Sequence, residues 1–100
     1  MKRNIELLEY GGKMYIIIVY DVNEKRVSKV CQFLRQYLNW IQNSVFEGEL
    51  TRSQFFEIKA GLKKLLNEDE DSVIIYKMHS HHSFSKEHMG IEKTNTSHII

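Results

Sequence analysis

An unbroken run of β-branched and aromatic residues, Met14-Tyr15-Ile16-Ile17-Ile18-Val19-Tyr20, sets the terms for the rest of the chain. Side chains branched at Cβ lose rotamer freedom in a helix and pack well on a pleated surface. The apolar residues are continuous rather than alternating, which predicts a strand buried on both faces and central in its sheet. A chain of 100 residues with 42% apolar side chains holds one such core and leaves little room for a second domain. A domain of this size stabilises itself only modestly, and oligomerisation would bury more apolar surface per chain.

The residues after this run alternate between helical and extended patterns. Asp21-Val22-Asn23 ends the strand, and from Glu24 to about Leu38 the apolar positions Val27, Val30, Cys31, Leu34 and Leu38 follow helical spacing. Two caps compete for its start: Asp21 with Glu24 as a capping box, or Asn23. Trp40 to Leu50 is extended, with Trp40, Gln42, Ser44 and Phe46 on one face, and Asn43-Ser44 is placed to divide it into two short strands. Thr51-Arg52-Ser53-Gln54 forms a capping box, with Leu50 and Phe55 as its hydrophobic staple. Phe55, Ile58, Leu62, Leu65 and Leu66 make the stripe of a second helix. Gly61 inside it costs about 1 kcal/mol relative to Ala, a sign of close packing there. An acidic turn, Asn67 to Asp71, leads into an apolar strand, Ser72 to Met78. His79 to Ile100 is polar and histidine-bearing, with an extended Met89-Gly90-Ile91.

Strand, helix, one or two strands, helix, strand is the order of a split βαβ unit with right-handed crossovers. The expected fold class is therefore α+β: a ferredoxin-like sandwich, its antiparallel sheet carrying two helices on one face. The other face is left bare and apolar, and dimerisation through the sheet would cover it. Residues 14–78 form the expected domain and residues 79–100 a tail. Residues 1–13 carry no period, end in Gly11-Gly12-Lys13, and are expected to be a disordered extension preceding a natural start at Met14.

The net charge of +1 gives no global basic field, so any grip on a polyanion must come from local Lys and Arg. Cys31 is the single cysteine, which excludes an internal disulfide and fits a reducing compartment. No stretch reaches the roughly 20 apolar residues of a membrane span. Lys2 and Arg3 precede an interrupted Ile5, Leu7, Leu8 pattern containing acids, unlike a signal peptide. The expectation is a soluble cytoplasmic protein without membrane partners.

Several stretches stand together: the strand ending Tyr20-Asp21, the helix ending Leu34-Arg35-Gln36-Tyr37-Leu38, the segment Trp40-Ile41-Gln42-Asn43-Ser44-Val45-Phe46-Glu47-Gly48-Glu49-Leu50, and Asp71-Ser72-Val73-Ile74-Ile75-Tyr76. In this order and spacing the chain from Met14 onward resembles the CRISPR-associated endonuclease family two. Gly90-Ile91-Glu92-Lys93 is similar to that family's tail, where an extra strand commonly adds across a dimer to the partner's sheet. The resemblance implies a homodimer working in spacer acquisition, as an adaptor between CRISPR integrase subunits that holds duplex DNA by its backbone. It also implies magnesium-dependent cleavage of RNA or DNA, an activity that some members have while others act as scaffolds.

Asp21 is the candidate that matters most. A carboxylate at the end of a central strand suits a hard cation such as Mg2+, and a twofold axis would pair it with its copy. Its competing role is helix capping, the commoner one for such a position. Ser44, Phe46 and Tyr20 match family positions near that site; the competing reading makes Phe46 and Tyr20 core or interface residues. Arg26 matches a basic family position, and with Lys25, Lys29 and Arg52 it forms the candidate phosphate-contacting set, weighed against plain solvated helix faces. His79, His81 and His82 lack a ligand at metal-site spacing nearby and read as a polar loop. Cys31 lies on the apolar stripe and reads as a buried thiol. The near-neutral charge places the adaptor role ahead of the nuclease role. A non-catalytic ferredoxin-like regulatory or scaffold module is the alternative.

Overall fold

The computed structural model describes residues 13–80 and 83–91. Residues 1–12 of the expected extension over 1–13 lie outside them, as do His81, His82 and residues 92–100, while Lys13 opens the first strand. The elements are β1 (Lys13–Asp21), α1 (Glu24–Leu34), β2 (Asn39–Gln42), β3 (Val45–Thr51), α2 (Arg52–Leu65), β4 (Ser72–Ser80) and β5 (Ser83–Gly90). All strands share one antiparallel sheet in the order β2-β3-β1-β4-β5, with β1 in the middle. The α+β, ferredoxin-like arrangement expected from the pattern is the one observed.

Burial along β1 alternates, however. Met14, Ile16, Ile18 and Tyr20 are buried, while Tyr15, Ile17 and Val19 are only half-buried. The first set meets Val30, Leu34, Phe46, Phe55, Ile58, Leu62, Val73 and Ile75 in the core. The second set lies on a face that nothing within the described chain covers fully. The continuous apolar run therefore marks a central strand correctly, but the described residues bury a single side of it. Register places Val45, Ile74, Tyr76 and Met78 beside Val19, Ile17 and Tyr15, and all of them are half-buried.

Local chemistry explains the element ends. Asn23 caps α1, its side-chain oxygen accepting from the Lys25 N–H at 2.9 Å, and Asp21 is the last residue of β1. The helix ends at Leu34 rather than Leu38. The N–H groups of Gln36 and Tyr37 turn to the carbonyls of Phe33 and Leu34, a tightened last turn that still delivers Leu38 to the core. Asn43, with φ of 45°, makes the bend between β2 and β3, a conformation Asn tolerates well. Both arms of the Thr51–Gln54 capping box are present, with Leu50 and Phe55 buried on either side. The close packing signalled by Gly61 is against the Phe33 ring, which fills the place of a Cβ there.

Part of the expected tail forms a strand of its own. Residues 83–90 pair with β4 of the same chain, from Ser72 opposite Gly90 to Ser80 opposite Ser83. A short hairpin offers this strand a partner two residues away, so within one chain it extends its own sheet. Gly90 sits at φ of +92°, where a Cβ would run into the Asp71 carbonyl; that carbonyl accepts the Ile91 N–H at 3.0 Å.

Candidate functional site

Asp21 is the last residue of β1, exposed and paired in register with Ser72 on β4. Alternation with buried Tyr20 puts its side chain on the uncovered face. The Tyr20 N–H donates to the Ser44 carbonyl at 3.0 Å, which draws the β2–β3 turn against this end of the strand. Ser44 is half-buried there.

Tyr20 and Phe46 both belong to the core beneath this end of β1. Tyr20 is buried, its hydroxyl 3.2 Å from Cys31 Sγ and donating to the Asn43 carbonyl at 3.4 Å. Burial and the Cys31 contact push its phenol up to about 12, so it keeps its proton at neutral pH. Phe46 is fully buried, its ring centre 5.8 Å from that of Tyr20. With no exposed surface in the single chain, Phe46 packs in the core beneath this end of β1. Cys31 is half-buried, packed against the core as its place on the apolar stripe implied.

The basic residues do not form one patch. Arg26 is taken up by a clamp: Nε reaches Asp71 Oδ2 at 2.7 Å, and Nη2 reaches Asp71 Oδ1 at 3.1 Å and Glu70 Oε1 at 2.7 Å. Asp71 is fully buried and also accepts the N–H groups of Asn23 and Asn67. Burial pushes its carboxyl up, but the Arg26 guanidinium and those N–H groups outweigh it and hold it at about 2. Arg26, ranked first among the phosphate contacts, is thus engaged within the chain. Sequence reasoning missed Asp71, which read as one acid in a polar turn; its partner is 45 residues away. Lys25 and Lys29 are exposed on α1, which begins three residues after Asp21. Arg52 follows Thr51, which pairs with Lys13 at the other end of β1, so it stands roughly 25 Å from Asp21.

A hard cation takes oxygen donors, and an exposed carboxylate suits it. Among the described residues no three His, Cys, Asp or Glu side chains converge on a place that could hold a metal ion. On β5 beside this end, His88 Nε2 lies 3.1 Å from Ser72 Oγ. The concave groove between α2 and β5, lined by Phe56, Lys63 and Met89 among others, does not include Asp21. Among the described residues no helix is long and apolar enough to cross a membrane.

This architecture, a ferredoxin-like sheet with a carboxylate at the tip of its central strand, defines the class of protein. Comparison with known proteins gives the family: the sequence model described as CRISPR associated protein Cas2 matches residues 14–86, and the chain belongs to that family. A relative from Pyrococcus furiosus, named CRISPR-associated endoribonuclease Cas2, is 56% identical over 87 residues, covering 87% of this chain and all of its own. One of the same name from Methanocaldococcus jannaschii is 50% identical over 98 residues, covering 98% of this chain and 86% of its own. Among solved structures, one described as the crystal structure of Cas2 superposes with a TM-score of 0.65 at 49% identity, covering 71% of this chain and 80% of its own. Streptococcus pyogenes Cas2 superposes with a TM-score of 0.56 at 26% identity, covering 86% of this chain and 94% of its own.

Proposed function

We propose that the chain works as a homodimer in CRISPR spacer acquisition and cleaves RNA phosphodiesters, with Asp21 of each protomer as the central acid. The observation that carries this reading is the placement of Asp21: exposed, at the end of the central strand, and at the rim of an apolar sheet face that the described residues leave half-buried. A twofold pairing through that face brings the two carboxylates towards one another. Like charges at close range oppose each other's ionisation, and a shared cation relieves that opposition. Asp21 of each protomer would hold such a cation, which would supply charge neutralisation at the phosphate and activation of water. The chain's own contribution is positional. The β2–β3 turn, held by the Tyr20 N–H, keeps Ser44 beside the strand end as a hydroxyl for phosphate oxygens, and buried Tyr20 and Phe46 hold the strand beneath. The endoribonuclease names of the relatives at 50–56% identity support this class of substrate.

A second reading has support in the exposed Lys25 and Lys29, one turn apart on α1. They suit contact with duplex backbone by a dimer lodged between integrase subunits, without cleavage. Incubating wild type and Asp21→Ala with single-stranded RNA and with duplex DNA, with and without magnesium, separates the two. Magnesium-dependent cleavage by wild type with at least a hundredfold loss in Asp21→Ala is the expected result. Binding of duplex by both proteins, with no cleavage by either across a broad pH range, leaves the adaptor role alone.

A further inference from the structure

Trp40 is 51% exposed on β2, although tryptophan is on average a well-buried residue. Its polar edge, unlike its ring, is fully engaged. The indole Nε1–H donates to the Asn43 carbonyl at 2.9 Å, and the Tyr20 hydroxyl donates to the same oxygen at 3.4 Å. The ladder between β2 and β3 shifts register between Trp40 and Gln42, an irregularity of the kind that re-aims a side chain. Asn43 is, among the described residues, the one other than glycine with a positive φ, so the shape of the β2–β3 turn rests on it. The next carbonyl is held as well, since Ser44 accepts the Tyr20 N–H at 3.0 Å. Two consecutive carbonyls of the turn therefore meet three donors, two from Tyr20 and one from Trp40. In the sheet β3 lies between β2 and β1, so Trp40 and Tyr20 grip the turn from opposite flanks. The indole bond is the shortest of the three.

We infer that Trp40 is a positioning residue: its indole N–H fixes the Asn43–Ser44 turn and thereby holds the Ser44 hydroxyl at the strand end beside Asp21. Trp40 touches no substrate in this role, and its exposure follows from what its N–H must reach. The inference rests on the reading of Asp21 and Ser44 as the cleaving site, and adds the residue that aims one of its groups. Without the indole bond the turn keeps its grip on β1 but loses the one on β2. A displacement of about 1 Å at a reacting group can slow a reaction roughly a hundredfold. The turn still forms and still meets the RNA, so the loss falls on kcat and spares KM.

Trp40 is the only tryptophan in the chain, so a tryptophan analogue alters this site alone. Protein made with benzothienylalanine in place of tryptophan keeps the ring and carries sulfur where the N–H stood; Trp40→Phe removes the donor genetically. Each is compared with wild type in magnesium-dependent cleavage of a labelled RNA, alone and combined with Ser44→Ala. The expected result is a kcat lower by roughly 10- to 100-fold with KM changed by less than about twofold. In the Ser44→Ala background the same replacements should cost almost nothing more, because the hydroxyl they aim is gone. Amide exchange should rise at Tyr20, whose N–H holds the turn, while the rest of β1 stays protected. The inference is overturned if kcat is unchanged in both proteins, or if their losses add in full to that of Ser44→Ala. Exchange that rises along all of β1 with a lowered melting temperature also overturns it, since Trp40 is then a support of the whole fold. Wild type that cleaves alongside an equally active analogue removes the positioning role alone. Wild type that cleaves no RNA removes the nuclease reading, and the positioning role with it.

Discussion

At the residue scale, Asp71 does more for this structure than its place in an acidic turn suggests. Its carboxylate ties the start of α1, the end of α2 and Arg26 together, and its carbonyl receives the first residue beyond β5. Removing one member of a largely buried pair leaves the other uncompensated, so Asp71→Ala should destabilise the fold by about 3 kcal/mol, measured by urea unfolding. The pH dependence follows from the sign of its shift. The folded carboxyl is held at about 2 against an ordinary 3.8, so its stabilisation is complete above about pH 4 and disappears as pH falls towards 2. Wild type should lose stability across that window and Asp71→Ala should lose less, by thermal melts at stepped pH. The place of Asp21 at the end of β1 was legible, because a carboxylate ending an apolar run stands out. The Arg26–Asp71 pair was not, since two charges 45 residues apart in sequence carry no periodic signal.

At the scale of elements, patterning was most informative where one local rule acted alone. Thr51 and Gln54 specify a helix start through two hydrogen bonds of their own, and both form. Gly61 announced a contact without naming Phe33, because the spacing of glycine in a helix says nothing about which neighbour fills its space. The tail was the hardest to read. Ser83–Gly90 is nearly devoid of alternation, and its pairing comes from proximity to β4 rather than from an apolar face of its own. Its attachment depends on Gly90, where a side chain meets both an unfavourable φ and the Asp71 carbonyl. Gly90→Ala should therefore loosen β5 from β4, costing about 1–3 kcal/mol and raising hydrogen exchange at β5 amides while those of β1 stay protected.

At the scale of the whole molecule, the question is what covers the second face of the sheet. Tyr15, Ile17, Val19, Val45, Ile74, Tyr76 and Met78 lie on it, half-buried. An apolar face on so small a domain invites a second copy. Ile17→Glu should place a charge in the middle of that contact, give a monomer by sedimentation, and abolish cleavage even though Asp21 is untouched. A monomeric variant that cleaves as wild type would separate the site from the pairing. The continuous run Met14–Tyr20 thus carried two messages: centrality in the sheet, met within one chain, and apolar residues on both faces, met within one chain on one side only. The clamp around Asp71 also bears on how the chain opens. Its bonds to Asn23 and Arg26 join segments 48 and 45 residues apart in sequence. Parting β4 from the start of α1 therefore leaves a buried carboxylate and its guanidinium without each other, a cost that falls on opening at the strand end that holds Asp21.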